Sequence, residues 1–498
     1  MTKIWIRTVA AALLAIVGLA AAPLSAQTPR DTVTLGMALE PPTLDPTTGA
    51  AQAIREVTLG NIFEGLVRID AQGRIQPGLA ESWGITPDGL TYTFRLRAGV
   101  TFHNGVAFEA AHVKATFERA MAPDSTNAQK WIFQPIASIA TPDPRTVAIT
   151  LRQPMANFLF GLGWGDAVIF EPSTIANNRT NPVGTGPYRF VRWARGDRIE
   201  LERYDGYRDR ANLPIRRAVF RFMSDPQAQM AALRAGDIDG VTNFGAYEAV
   251  DLFRNDPRFR VTVGNTEGET ILALNNGRPP FNDVRVRRAV AHAIDRAAII
   301  QGAMSGFGTP IGSHFSPNHA AYVDLTGTYP HDPARARALL AEAGHPNGLQ
   351  VTLRLPPPVY ARRGGEIIAA QLAAVGIRAT IEPVEFAQWL QQVFQRRDFD
   401  MTIISHTEPL DIDIYARETY YFSYAKPEFR ALIERINATV DETQRNALYQ
   451  QAQRMLAEDS VNGFLFMLPK VTITAAALQG VWANWPIPAN PIAEMRWQ

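Results

Sequence analysis

The alternation of apolar and polar residues is clearest early in the chain. Over residues 91–97 every second position, Tyr92, Phe94 and Leu96, is apolar, and Asp88-Gly89 just before them supplies a turn with positive φ. This pattern predicts a hairpin strand with one packed and one solvated face. Helical grammar recurs further on. Asp225-Pro226 provides a capping side chain and a proline for the first helical position, followed by an apolar-rich run that Gly236 ends. Asp332-Pro333 opens a second such segment, running through Ala336, Leu339 and Leu340 to Gly344. A third, from Glu366 to Val375, stops at Gly376 and leads into the alternating stretch 377–381, broken by Pro383. That order of helix, tight turn and strand is a βαβ signature. A long amphipathic segment from Thr443 to Glu458 carries Leu448, Ala452, Met455 and Leu456 on one side. Strands and helices alternate without repeats, so the expected class is mixed α/β.

The N-terminus changes the picture of where such a chain works. Lys3 and Arg7 precede an apolar run from Val9 to about Ala22, which closes on Leu24-Ser25-Ala26. The run is shorter than the roughly 20 residues a membrane helix needs, so we expect a cleavable export signal over 1–26. The remaining length calls for two or three domains at about 100–200 residues each. Cysteine is absent, which removes disulfides, thiolate metal sites, a cysteine nucleophile and a lipidated cysteine together. An exported chain without a lipid anchor is expected in an enclosed periplasm. Net charge is +1 and the arginines are scattered among acids, so nucleic acid is not an expected partner.

Several ordered blocks then resemble one family, the large extracellular solute-binding proteins of ABC importers that include dipeptide-, oligopeptide- and nickel-binding proteins. They are Glu40-Pro41-Pro42-Thr43-Leu44-Asp45-Pro46, Pro77-Gly78-Leu79-Ala80-Glu81-Ser82-Trp83, Phe102-His103-Asn104-Gly105, Gly184-Thr185-Gly186-Pro187-Tyr188, the stretch from Pro279 to Ala289, and the helix after Asp332-Pro333. Each block by itself builds turns and core in many folds; their order is what carries the resemblance. It implies a periplasmic binding protein type II-like α/β fold: two lobes joined by a hinge, with an extra domain inserted in the N-terminal lobe. The expected division is lobe I over 27–58, 183–272 and 471–498, the inserted domain over 59–182, and lobe II over 273–470. The resemblance also implies a monomer that binds a peptide or similar small polar solute between its lobes. It would deliver that solute to inner-membrane permease subunits and their ATPases, and no cofactor is implied.

For the ligand, the resemblance places Glu40 on the first wall, Trp131 in the inserted domain, and Phe386 with Phe464 or Phe466 on the far lobe. The informative departure follows Phe399-Asp400, where peptide-binding relatives carry a Trp and then an Asp that pairs with the peptide's α-ammonium group. Here the chain reads Met401-Thr402-Ile403-Ile404-Ser405-His406-Thr407-Glu408-Pro409, and both residues are missing. A buried ammonium group without a carboxylate is costly. Either Glu408, Asp411 or Asp413 takes over, or the ligand has no free amino end; nickel chelates, glutathione, opines and sugars are then alternatives. Ser405 and His406 join the candidate wall. A single histidine is not a metal site, and none is expected at His406. An enzyme is the rival class, but the sequence has no Gly-x-Ser-x-Gly elbow, His-Glu-x-x-His helix or phosphate loop. A secreted hydrolase built on carboxylates, and a chaperone or sensor subunit on the same fold, are the other readings.

Overall fold

A computed structural model describes residues 30–49, 51–408 and 410–498; the expected export signal lies outside the described residues. The predicted local elements are present. The hairpin strand is Thr91–Leu96, with Tyr92, Phe94 and Leu96 buried, behind a turn in which Gly89 has φ 71°. Asp225 accepts a hydrogen bond from the Gln227 amide at the start of helix Pro226–Ala235, and Asp332 does the same from Arg335 for Pro333–Glu342. The helix ending before Gly376 begins earlier than expected, at Val359, and Leu349–Leu355 pairs in parallel with Ile377–Pro383 on its far side. The helix–turn–strand reading therefore sits in a complete βαβ unit. The late amphipathic segment is helix Glu442–Glu458.

The principal sheet has eleven strands. At one end lie Ile377–Pro383, Leu349–Leu355 and Met401–His406; at the other lie Thr32–Met37, Arg217–Phe222, Arg198–Arg203 and Tyr188–Ala194. Between them run two long antiparallel strands, Phe259–Leu274 and Gly463–Ala475, which belong to both ends. Their ladder breaks register between Asn265 and Glu269, so regular pairing is interrupted midway along the two strands.

Packing follows from side-chain alternation. Leu272 and Leu274 enter one apolar cluster with Ile299, Leu353 and Ile368, whereas Ile271 and Ala273 enter another with Ile404, Phe429 and Leu456. The second lobe's sheet is thus buried on both faces. The inserted segment has its own four-stranded sheet, yet Phe94, Ile149 and Phe158 share a single core with Leu35, Leu201 and Phe220 of the first lobe. The chain end returns to that lobe, where the Trp497 indole donates to the Thr32 carbonyl at 2.9 Å. Asp31–Gln498 forms one compact unit, and among the described residues no helix is long and apolar enough to cross a membrane.

Most of the motif blocks serve this scaffold. A Cβ on Gly184 or Gly186 would run into the backbone carbonyls of Ile62 and Asn61, so only glycine allows the two segments to meet. His103 locks the same junction: its Nδ1 accepts from the Gly184 amide at 3.3 Å and its Nε2 donates to the Gly186 carbonyl at 2.9 Å. Burial pushes that imidazole down to about 4, so it stays neutral in this role. Arg287, from the Pro279–Ala289 block, ties the Phe281 and Asp459 carbonyls at 2.8 and 2.9 Å.

Candidate functional site

The second lobe contributes a wall made of a short helix, a strand end and a loop. Phe386–Trp389 continues into an irregular turn, Leu390–Gln395, that widens to i→i+5 geometry. Apolar residues at 386, 389, 390 and 394 keep a helical spacing, but only Trp389 is buried; Phe386 is 47% exposed and Phe394 40%. Phe386 stacks on Trp389 at 5.8 Å with rings 7° apart, and the Trp389 indole donates to Thr402 Oγ1 at 2.8 Å, which fixes the stack on the sheet. Exposed, mutually stacked aromatics on a pinned helix make a ready apolar contact surface.

Opposite them, the inserted domain presents Trp131, Met155, Phe160 and Trp164 across a cavity of about 890 Å³. Trp131 is held by its own neighbour, the indole donating to Gln129 Oε1 at 2.6 Å. A smaller chamber of about 210 Å³ shares Gln129, Trp164, Thr407 and Glu408 with the larger one and reaches the first lobe at Arg55, Asn243 and Trp485. The two volumes are parts of one cleft that touches all three regions of the chain. Its size suits a small peptide or a solute of similar bulk.

The polar side of the cleft is organised around Asp411. Its Oδ1 accepts from His314 Nε2 at 2.8 Å and its Oδ2 lies 3.5 Å from His406 Nδ1. Each imidazole meets a tyrosine hydroxyl through its other nitrogen: His314 Nδ1 with Tyr415 at 3.2 Å, and His406 Nε2 with Tyr421 at 3.1 Å. Burial would raise the Asp411 carboxyl, but the two imidazoles, His314 foremost, outweigh it and hold it far below the usual range. Burial pushes His314 the other way, keeping it neutral. Asp411 therefore carries the charge while a neutral imidazole donates to it. Beneath lie two more acids. Glu267 accepts from Asn318 Nδ2 at 2.8 Å, and burial pushes its carboxyl up to about 7. Glu269, opposite His406 on the neighbouring strand, is 2% exposed; burial and then Asp411 raise it strongly.

The expected site residues separate into those that reach the cleft and those that do not. Trp131, Phe386, Ser405, His406, Glu408, Asp411 and Asp413 all line it. Asp411 is committed to the histidines, and Asp413 pairs with Arg417 at 2.9 Å. Glu408 is exposed, lines both chambers and enters none of the hydrogen bonds or ion pairs found among the described residues. Glu40 is placed elsewhere. Its carboxylate clamps the hairpin of the first lobe, accepting from the Trp193 indole at 2.8 Å and the Gly196 amide at 3.1 Å. Phe466 is fully buried in the core of the second lobe, paired with Thr270, and Phe464 is 3% exposed in the adjoining cluster. Their strand is covered on both faces, so its apolar residues carry no sign of which one would reach a cleft. Sequence reasoning set His314 aside, since it and His319 form a close pair in a proline-containing loop without helical spacing, and it passed over Glu267, Trp389 and Phe394. The apolar spacing at 386, 389, 390 and 394 could have revealed the last two; His314 and Glu267 gave no local signal.

The geometry has counterparts among known proteins. A glutathione-binding protein, GsiB of Pectobacterium atrosepticum, is 32% identical over 350 residues, covering 69% of this chain and 68% of that protein. Among solved structures, the periplasmic binding protein AgaA from A. tumefaciens R10 in complex with agropinic acid is 27% identical, with a TM-score of 0.77 over 94% of this chain and 99% of that one. DppA of Helicobacter pylori, in complex with the peptide STSA, is 26% identical, with a TM-score of 0.78 over 94% and 98% of the two chains. The middle region characteristic of family 5 matches residues 74–428. With its fold and more than half its length in agreement, the chain belongs to the bacterial extracellular solute-binding proteins, family 5.

Proposed function

We propose that this protein is the periplasmic substrate-binding component of an ABC importer, exported through its N-terminal signal and working as a monomer. It captures a peptide or peptide-like solute that carries a cationic group and an apolar portion. The observation that carries this reading is Glu408, the one acid of the three candidates in the cleft that no described side chain neutralises. An ammonium group entering beside it gains a charge-assisted hydrogen bond without breaking one that already exists. The apolar portion fits between Phe386 and Phe394 on one wall and Trp131 and Phe160 on the other. Relatives that bind glutathione, a peptide and agropinic acid set the range of solutes to test. We place the hinge at residues 265–269 and 467–470, where the crossing ladder loses register, a few residues before the expected first crossing. Closure there brings both walls onto the solute, and only contacts made in the shut state favour it.

A thermal-shift panel of di- and oligopeptides, glutathione, nickel with histidine, opines and short sugars tests the reading. A true ligand at 100 times its Kd adds about 2.7 kcal/mol to stability. Glu408→Gln should weaken a ligand bearing an ammonium group by roughly tenfold or more, with little effect on a ligand lacking one. Silence across the panel, or multiple turnover of any member, would replace this reading with a sensor or a hydrolase.

The aromatic wall gives a separate expectation. Phe386→Ala removes a half-exposed ring, so stability should change by less than about 1 kcal/mol while solute affinity falls by about tenfold. Unfolding curves and calorimetric titration together check it; normal affinity would move the apolar subsite away from this helix.

A further inference from the structure

Beneath the cleft wall the chain gathers three metal-binding side chains. One nitrogen of His314, one of His406 and an oxygen of Asp411 all lie within 4.8 Å of one another. These residues come from three separate parts of the second lobe: a loop, the end of strand Met401–His406, and the turn Asp411–Ala416. Glu269 is the second, independent observation. It is 2% exposed, its Oε2 has no hydrogen-bond partner among the described residues, and it stands directly across from His406 in the antiparallel pair. Cross-strand partners place their side chains on the same face of a sheet, so Glu269 and His406 share one side. A buried carboxyl oxygen without a hydrogen-bond partner is costly in either protonation state.

The outer partners have the arrangement that ligating histidines need. A metal-bound imidazole offers one nitrogen to the ion and steadies its ring through the other. Here His314 turns Nε2 and His406 turns Nδ1 toward the same carboxylate, and their remaining nitrogens rest on the hydroxyls of Tyr415 and Tyr421. Tyr415 is in turn held by the Asn462 amide at 3.0 Å. Donors around a tetrahedral ion with bonds of about 2.0–2.2 Å stand about 3.3–3.5 Å apart. His314 Nε2 lies 2.8 Å from Asp411 Oδ1 and His406 Nδ1 3.5 Å from its Oδ2, and the three ligand atoms spread over no more than 4.8 Å, so the side chains must re-aim around an ion without any backbone element having to cross the site. His406 and Asp411 line the larger chamber, which gives an ion a path from solvent.

We propose that His314, His406 and Asp411, completed by Glu269, form a binding site for one divalent transition-metal ion such as Zn²⁺ or Ni²⁺. Two imidazoles with carboxylates select this class over Ca²⁺ and Mg²⁺, which require mostly oxygen donors. The site is built from the protein's own side chains and needs no solute. Its test is therefore separate from that of the transport reading: metal binds, or fails to bind, whether or not a peptide does.

The mature protein, stripped with a chelator and returned to buffer, is titrated with Zn²⁺ and with Ni²⁺ alone in a calorimeter, with Ca²⁺ as the control. One ion per chain and an accompanying rise in melting temperature are expected, with no response to Ca²⁺. His314→Gln should weaken the affinity by about 100-fold or more, and Glu269→Gln by about tenfold. Since His314 is buried, Co²⁺ titration of the unaltered protein serves as a second measurement. The intense visible bands of a tetrahedral Co²⁺ site should appear and saturate at one equivalent, and Zn²⁺ should displace them. Absence of stoichiometric binding would leave the cluster a hydrogen-bonded network and overturn the proposal. So would equal binding by the unaltered protein and Glu269→Gln together with only the weak bands of octahedral Co²⁺, because surface histidines would then account for the metal.

Discussion

Arg55→Ala is expected to cost about 3–5 kcal/mol of stability, the range seen when one partner of a buried ion pair is removed. Arg55 is 3% exposed; its Nε donates to Asp166 Oδ2 at 2.8 Å and its Nη2 at 2.5 Å, while its guanidinium carbon lies 5.4 Å from the centre of the Trp164 ring. The pair joins the helix Gln52–Thr58 to the turn Gly165–Ala167 in the inserted segment, directly behind the smaller chamber. Burial raises Asp166 to about 6 even with the guanidinium against it, so desolvation exceeds the attraction of the pair. Taking away the cation leaves the full desolvation cost on the carboxylate. Urea denaturation should show the loss at pH 7.5, and Asp166→Asn in the same chain should recover part of it. A loss under about 1 kcal/mol would mean that water reaches Asp166 once the arginine is gone. The same variant tests the cleft, because Trp164 loses the group that supports its ring.

Glu56→Gln should change how stability depends on pH rather than lower it uniformly. Burial pushes Glu56 up from 4.5 to about 7, despite hydrogen bonds and Lys470 acting in the other direction. Its folded form therefore holds a proton more tightly than its unfolded form. The stability it contributes is fully present below pH 4.5 and is lost as pH rises through 7. At about 1.4 kcal/mol per pH unit, the glutamate protein should lose about 3 kcal/mol relative to the glutamine variant between pH 4.5 and 8. Lys470 runs in the opposite sense: burial pushes it down from 10.5 to about 7, so its contribution is present above 10.5 and lost as pH falls through 7. The two groups together predict that this part of the first lobe is least stable near neutral pH. The Gln52 amide donates to Glu56 Oε1 at 3.1 Å, and the carbonyl oxygen of the substituted side chain can accept the same bond, so the substitution isolates the charge. A stability difference that stays flat across this pH range would show that Glu56 is hydrated in the folded chain.

These expectations bear on function because Lys470 and Arg55 lie close to the hinge proposed above. Lys470 sits in the crossing strand opposite Gly264, one residue from the break in the ladder, with its ammonium group donating to the Trp482 carbonyl and 5.7 Å from the centre of the Trp485 ring. Arg55 and Trp485 line the smaller chamber. In the proposed hinge, a buried lysine would fix where the crossing strand bends, since moving the charge into an unpartnered position is costly. Lobe closure is then a choice between two packed arrangements rather than a continuous deformation.

What the sequence alone determined is local or carried by order. Asp-Pro starts and glycine stops place helix ends because their effects act within one turn of chain, and Tyr92, Phe94 and Leu96 mark a strand because a half-buried sheet imposes a period of two. The succession of motif blocks indicated the family, and with it the two-lobed fold and the segments facing the cleft. Trp131, Phe386, Ser405, His406, Glu408, Asp411 and Asp413 were reached by comparison with that family, and they line the cavity. Tertiary structure decided the rest. Phe466 and Phe386 look alike in sequence, yet one lies in a strand covered on both faces and the other on a helix with an open side. Glu40 was drawn to a hairpin more than 150 positions away. His314 meets Asp411 across 97 positions and acquires its chemistry only through that meeting. Periodicity and capping report what neighbours along the chain require; a binding site depends on which groups are taken out of water together, and folding alone sets that.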